Sequence, residues 1–408
     1  MSGSNFIRSQ GSKASGFSRF VLIGLIGLAF FSMGFGAKPA MHGQLQTKVV
    51  NGNGYICDQN GNPVQMRGMS MYPWTSAGGY DFYTAGCIAW LYSNWRVHII
   101  RLPELTNGSP PMSYITTVIQ ACIDSGMYVI VDWHDCTANA SAANASAFFK
   151  TIATSYHTYP NILYEPWNEP SASGGPSWSG VIKPYMETVI AAIRAIDPNN
   201  IVICGNPQWD QLPQNAAADP ITDYKNIAYS MHFYSGSHSE SGFGPGISTA
   251  MSKGCAVFIT EYGACNTGTV AAQPQCTQWY TFLDANHIGS TNWGVEWQDA
   301  CLGTVTSGSS YTGGWSASNL TNNGSFVKAY ITAGTDTPIG TEVLPNVSKF
   351  QHATVAASNG LLTGTSKIST PVYTINGVRC PVGNKLPNGL YIVQAPGNTS
   401  AKVIDVVR

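Results

Sequence analysis

SYITTVIQACIDSGMYVIVDWH (113–134) holds one repeat of the unit from which most of the chain is built. Its first part, 113–126, carries a helical pattern. Its second, MYVIVDWH (127–134), is an apolar run that ends on Asp132, Trp133 and His134. Short runs of this kind, rich in β-branched residues, read as strands buried on both faces. The same alternation extends from about 63 to 333. Further strands are read at VQMRGMSM (64–71), VHIIRL (97–102), NILYEP (161–166), NIVICGN (200–206), NIAYSMHFY (226–234), AVFITEYG (256–263) and GSTNWGV (289–295). Between them lie helical segments such as KPYMETVIAAIRAID (183–197), where Met186, Val189, Ile190, Ile193 and Ile196 recur at 3.6-residue spacing. Eight strands separated by helices predict an α/β fold, a (β/α)8 TIM barrel rather than an open doubly wound sheet. No strand is followed by G-x-G-x-x-G or G-x-x-x-x-G-K-[ST], so no phosphate-cradling loop is expected.

The whole chain has 408 residues, 44% hydrophobic and only 10% charged. Its formal charge of −1 conceals an asymmetry. Residues 1–40 hold Arg8, Lys13, Arg19 and Lys38 and no acid, and 338–408 hold six cations against two acids. The barrel stretch 41–337 is left with ten cations against nineteen acids. An acidic main domain is a poor partner for phosphate backbones, so no nucleic-acid partner is expected; a neutral polysaccharide is compatible.

Residues 1–40 read as an export signal: a basic stretch to Arg19, the apolar run FVLIGLIGLAFF (20–31), then small residues to Ala40. An uncleaved anchor is the alternative, although the run is short for a membrane span. With the signal removed, no stable membrane insertion is expected, and the protein is read as secreted or displayed on a bacterial surface. Ten cysteines suit an oxidising compartment. The barrel domain is set at 41–334, a proline-containing linker at 335–345, and a small β-sandwich-like domain at 346–408. In that last domain TPVYTINGVRCPVGNKLPNGLYIVQ (370–394) alternates in strand fashion around NG turns.

In such barrels chemistry collects where strands end and loops begin. The strand ends supply Arg101, His134, Asn168–Glu169, His232–Tyr234, Glu261 and Trp293. Glu169 and Glu261 close the fourth and seventh strands. Two carboxylates at one mouth can divide labour, one kept protonated as general acid and the other ionised as nucleophile. Trp74, Trp178, Trp209 and Trp297 are candidate sugar platforms, Trp209 and Trp74 foremost. No metal site is expected, because H-x-x-x-H and H-E-x-x-H spacings are missing, and no cofactor is required.

At these residues the chain resembles glycoside hydrolase family 5, the bacterial endoglucanase (cellulase) branch, over about 63–333. The matching motifs are RGMSMYPW (67–74), IIRLPE (99–104), VIVDWH (129–134), YEPWNEP (164–170), HFYSGSH (232–238), FITEYG (258–263) and NWGV (292–295). The resemblance implies a retaining mechanism with Glu169 as acid/base and Glu261 as nucleophile. It implies that Arg101 ionises Glu261 by charge pairing and that Asn168 bonds the sugar 2-hydroxyl. His134, His232 and Tyr234 would orient the substrate and the carboxylates, and Trp293 would stack beneath the sugar. Tyr72, Ser290 and EWQDAC (296–301) depart from the pattern, in positions that bear on sugar binding rather than chemistry. The expectation is a secreted, monomeric endo-β-1,4-glucanase acting on β-glucan. The alternatives are another family 5 specificity, such as β-mannanase or xyloglucanase, and a non-catalytic polysaccharide-binding protein. The tail, with VYTINGVR (372–379) and GLYIVQ (389–394), resembles C-terminal sorting domains of bacterial secretion systems.

Overall fold

A computed structural model describes residues 38–171, 175–266, 270–297 and 301–334, together with the backbone of five short strands between 351 and 406. The linker at 335–345 and all but the last three residues of the export signal at 1–40 lie outside the described residues.

A hairpin comes first: β1 (Gln46–Val50) pairs antiparallel with β2 (Asn53–Cys57). Asn51 and Gly52 both take positive φ in its two-residue turn, 50° and 86°, the geometry that Asn-Gly favours. Gly54 of β2 packs against the backbone of Gly254 and Cys255, immediately before a barrel strand. The hairpin therefore packs at the end of the barrel where that strand begins.

The eight barrel strands are β3 (Arg67–Met71), β4 (Ile99–Leu105), β5 (Tyr128–His134), β6 (Ile162–Glu165), β7 (Val202–Cys204), β8 (Ile227–Tyr234), β9 (Ala256–Gly263) and β10 (Ser290–Val295). All pair in parallel, and β10 closes on β3. Each falls within or across a strand expected from the sequence. The main difference is β4, which runs three residues past Leu102 through Pro103. Proline has no N–H to give a ladder. Here it is tolerated because β3 pairs only as far as Arg101, leaving that edge of β4 open while β5 continues to pair on the other.

The helix Met112–Ser125 buries Ile115, Val118, Ile119, Cys122 and Ile123 against the barrel and ends on Gly126 at φ 76°. Thr84, Ser141, Ser239 and Thr321 cap the starts of other helices, each side chain accepting from a first-turn amide. Met66, Met69 and Met71 are fully buried, as barrel packing requires. At the ring's seam the Arg67 guanidinium bonds Asp284 at 2.6 Å and the Tyr330 carbonyl at 2.6 Å, tying β3 to the last two helices. Among the described residues no helix is long and apolar enough to cross a membrane. Cys87, Cys122, Cys204 and Cys276 are buried thiols, so much of the cysteine content serves as small apolar packing rather than as a disulfide framework.

In the C-terminal region Gln351–Thr354, Val372–Thr374, Arg379–Cys380, Gly389–Gln394 and Ala401–Val406 form one five-stranded sheet, antiparallel except where the first strand pairs with the last.

Among the glycines of the barrel strands the tightest is Gly68, where an added Cβ would lie 1.8 Å from the Ile99 carbonyl oxygen. Gly68→Ala must spread β3 from β4, and about 3 kcal/mol of destabilisation is expected. The thermal midpoint should fall by roughly 5–10 °C; an unchanged midpoint would show that the two strands separate freely.

Candidate active site

The centre of the site is Arg101 on β4, fully buried inside the barrel. Its Nε donates to Glu165 Oε2 at 2.7 Å and its Nη1 to Glu261 Oε2 at 2.8 Å. Its Nη2 serves three acceptors: Asn168 Oδ1 at 2.5 Å, Asp132 Oδ2 at 2.9 Å and Glu165 Oε1 at 3.2 Å. Arg101, Asp132 and Glu165 sit on the adjacent strands β4, β5 and β6, pointing inward. Glu261 arrives from β9 across the barrel.

Glu165 and Asp132 were not singled out from the sequence. Each hides within an apolar run, ILYE and VIVDWH, where a charge is costly unless paired. That cost is the signal that could have found them, since an acid inside a strand buried on both faces needs a cation in the barrel. Burial alone would push the Glu165 carboxyl up, but the charges of Arg101 and His232 bring it down to about 2. Burial likewise works against ionisation of Glu261. There the charges of His232, Arg101 and His134 and the bond from Tyr234 prevail, holding it below the usual carboxylate range. Tyr234 Oη donates to Glu261 Oε1 at 2.6 Å. Burial and the two glutamates keep that phenol protonated, its titration pushed well above the ordinary value.

Glu169 follows β6 at φ +47°, a conformation uncommon for any residue with a side chain. His232 Nδ1 lies 3.1 Å from Glu169 Oε1, and the opposite ring nitrogen lies 2.8 Å from Thr260 Oγ1. A register shift in β8 between Ser230 and His232 turns this histidine into the site. Although burial opposes its charge, the surrounding Glu165, Glu169, Asp210 and Glu261 hold the imidazolium protonated far above the usual range. Oxygen atoms of Glu169 and Glu261 and a nitrogen of His232 all lie within 4.8 Å of one another. That trio, and Glu165 with Asp210 and His232, have the donor types and spacing to hold a metal ion. In both, the His232 nitrogens are already committed to Glu169 and Thr260.

His134 bonds Asp132 Oδ2 through Nδ1 at 2.8 Å, and its charge is among those that lower Glu261. Burial would lower its titration, but Asp132 raises it to about 10. The ring lies flat against Trp293, centroids 5.4 Å apart at 8°. Trp74 meets both edge-on, at 5.6 Å from His134 and 5.9 Å from Trp293. Trp74 and Trp209 are 39% and 38% exposed, open faces at the mouth of a barrel whose other large aromatics are mostly covered. Trp178 is no platform: it is buried on Tyr229, with its indole N–H on the Asp219 carbonyl. His238 has a framework role, its Nδ1 accepting from the Tyr234 amide at 2.9 Å.

The comparisons with known proteins agree with this geometry. The model of the Cellulase family (glycosyl hydrolase family 5) matches residues 57–299. An endoglucanase of Clostridium saccharobutylicum is 38% identical over 357 residues, 84% of this chain and 76% of that protein. Endoglucanase Z of Dickeya dadantii is 35% identical over 69% of this chain and 65% of its own length. Among solved structures, the endoglucanase Cel5A catalytic domain of Thermobifida fusca superposes with a TM-score of 0.64 at 30% identity, covering 72% of this chain and 98% of that one. With a buried arginine gathering the strand-end acids and two glutamates facing each other across the barrel mouth, the chain belongs to glycosyl hydrolase family 5, in its endoglucanase branch.

Proposed function

We propose that this family 5 endoglucanase cleaves internal β-1,4 bonds of β-glucan with retention of configuration. The observation that carries the reading is the approach of Glu169 and Glu261, with carboxylate oxygens within 4.8 Å. Retaining pairs stand roughly 5–5.5 Å apart, whereas inverting pairs leave roughly 6.5–9.5 Å for a water molecule. The two environments also differ. Glu261 receives Arg101 and Tyr234 and is kept ionised, as a nucleophile must be. Among the described residues the Glu169 carboxylate meets one hydrogen-bond partner, His232, and its side chain is 19% exposed toward the cleft.

In the first step an oxygen of Glu261 attacks the anomeric carbon. The bond to the leaving sugar's oxygen breaks as Glu169 gives that oxygen its proton. In the second, Glu169 takes a proton from water, and the water oxygen displaces Glu261 from the same carbon. Trp293 lies beneath the sugar at the cleaved bond, with Trp74 and Trp209 flanking it as platforms. The Thermobifida fusca relative has been crystallised as a variant in complex with cellotetraose, which supports an unbranched β-1,4-glucan as the ligand here.

A polymer of this size is met outside the cell, so residues 1–40 are assigned to export. The β-rich region at 346–408, whose described strands form a single sheet rather than the expected sandwich, is assigned to a sorting domain, with the enzyme acting as a monomer. Truncation at Thr337 should leave glucan hydrolysis unchanged while abolishing surface delivery, measured by cell fractionation; normal delivery would refute the sorting role.

Reducing-sugar release should be strong on soluble β-1,4-glucan and weak on mannan and xylan. Glu261→Gln should lose at least roughly 10³-fold, equivalent to about 4 kcal/mol of transition-state stabilisation. Glu169→Ala should lose comparably on glucan yet retain first-order cleavage of aryl cellobiosides with good leaving groups. Release mainly from mannan would move the specificity, and equal loss on both substrate types would overturn the acid assignment.

Tyr234→Phe removes a donor that stabilises the ionised form of Glu261, so that carboxyl titrates higher. Activity requires the ionised form and is lost as pH falls through this titration. The acid limb of the kcat/KM profile should therefore move up by roughly one pH unit; an unmoved limb would show that the bond does not tune the nucleophile.

A further inference from the structure

The turn after β7 contains a buried acid to which the reaction as described gives no part. Gln208, Trp209 and Asp210 are three successive residues with side chains in the left-handed region, at φ 57°, 55° and 59°. Such runs are disfavoured for L-residues and persist only where the surroundings hold them. Here two bonds join the turn to the equally strained segment bearing the acid/base. The Glu169 amide donates to Asp210 Oδ2 at 3.1 Å, and the Trp209 amide donates to the Pro170 carbonyl at 3.3 Å. There is little slack, since a Cβ on Gly205 would meet the Trp167 carbonyl oxygen at 2.3 Å and Asp210 Oδ1 at 2.9 Å.

Asp210 itself is fully buried. Its Oδ1 accepts from the Asn206 amide four residues back, a local bond that closes the turn. That task needs one oxygen. The second oxygen reaches 41 residues away in sequence to the main chain of Glu169. The same carboxylate oxygen lies 3.6 Å from His232 Nε2, and His232 Nδ1 holds the Glu169 carboxylate. Asp210 thus faces both ends of one residue, its backbone directly and its side chain through the imidazole. Burial drives the Asp210 carboxyl up to about 7, with His232 and the two amides opposing, so its retention here works against the cost of an interior acid.

We propose that Asp210 is a positioning residue for proton transfer, aligning Glu169 with the glycosidic oxygen while the same turn presents Trp209 to the leaving side of the sugar chain. This rests on the assignment of Glu169 as the acid.

The test is the dependence of kcat/KM on the leaving group in a series of aryl β-cellobiosides, from dinitrophenyl to unsubstituted phenyl. The aglycones are of similar size, so any contact with Trp209 is nearly constant, and ratios between substrates cancel the concentration of active enzyme. Wild type should show a shallow dependence and Glu169→Ala a steep one. Asp210→Asn offers one acceptor to two backbone donors, so one bond is lost in either orientation. Its phenyl-to-dinitrophenyl ratio should fall roughly 10–100-fold below wild type, the effect expected of a misplaced catalytic group. Asp210→Ser, which also lacks the second oxygen, should behave alike and serves if the asparagine variant does not fold. Wild-type ratios in either folded variant would overturn the proposal. A Glu169→Ala ratio equal to wild type would instead overturn the acid assignment on which it rests.

Discussion

The Arg101 guanidinium carries a full charge into the barrel, and the surrounding chemistry is arranged around that fact. A buried cation is tolerated only when its donors are met, and removing one partner of a buried pair costs roughly 3–5 kcal/mol. Arg101 spends its donors on Glu165, Asp132, Asn168 and Glu261. Glu165 and Asp132 neutralise the arginine from neighbouring strands. Glu261 shares in that charge while leaving its other oxygen to Tyr234 and its side chain slightly open to the cleft. Ionisation of Glu261 and barrel integrity therefore have one electrostatic origin, and on the proposed mechanism the nucleophile is placed by a buried group with all its neighbours fixed.

A second branch of the network leads to Trp293, the proposed sugar platform. Asp132 bonds both Arg101 and His134, and through this bond His134 remains a cation. Its ring lies parallel to Trp293, so the indole is backed by a fixed positive plane. His134 thus acts at one remove from the chemistry. The family resemblance implies an orienting role, and in the structure its ring lies against Trp293 while its charge helps hold Glu261 ionised.

The barrel was legible because strands buried on both faces must be nearly continuous apolar runs, and eight such runs stand out against the helical spacing between them. The hairpin β1–β2 was missed although its turn carries N-G-N-G, because its strands are only five residues each and lack the long apolar run of the barrel strands. Glu169 and Glu261 were legible as acids at strand ends, where loops make the site. Glu165 and Asp132 were not, because one position along a strand separates an inward from an outward side chain and motif reading does not register that parity. Trp178 and Trp209 look alike in sequence, and the packing of Trp178 on Tyr229 and its bond to the Asp219 carbonyl separate the buried one from the open one.

Asp210 was hidden for a different reason. Its importance depends on a turn that local preferences disfavour, since Gln, Trp and Asp would not be chosen for three consecutive left-handed positions. Local propensity and global structure conflict most sharply there, and such conflicts concentrate at functional sites. Glu169 shows the same conflict at φ +47°. The two strained segments bond to each other as well as to their own neighbours. Each restricts the freedom by which the other would relax, which holds the proposed acid in place on a loop without adding a secondary-structure element to support it.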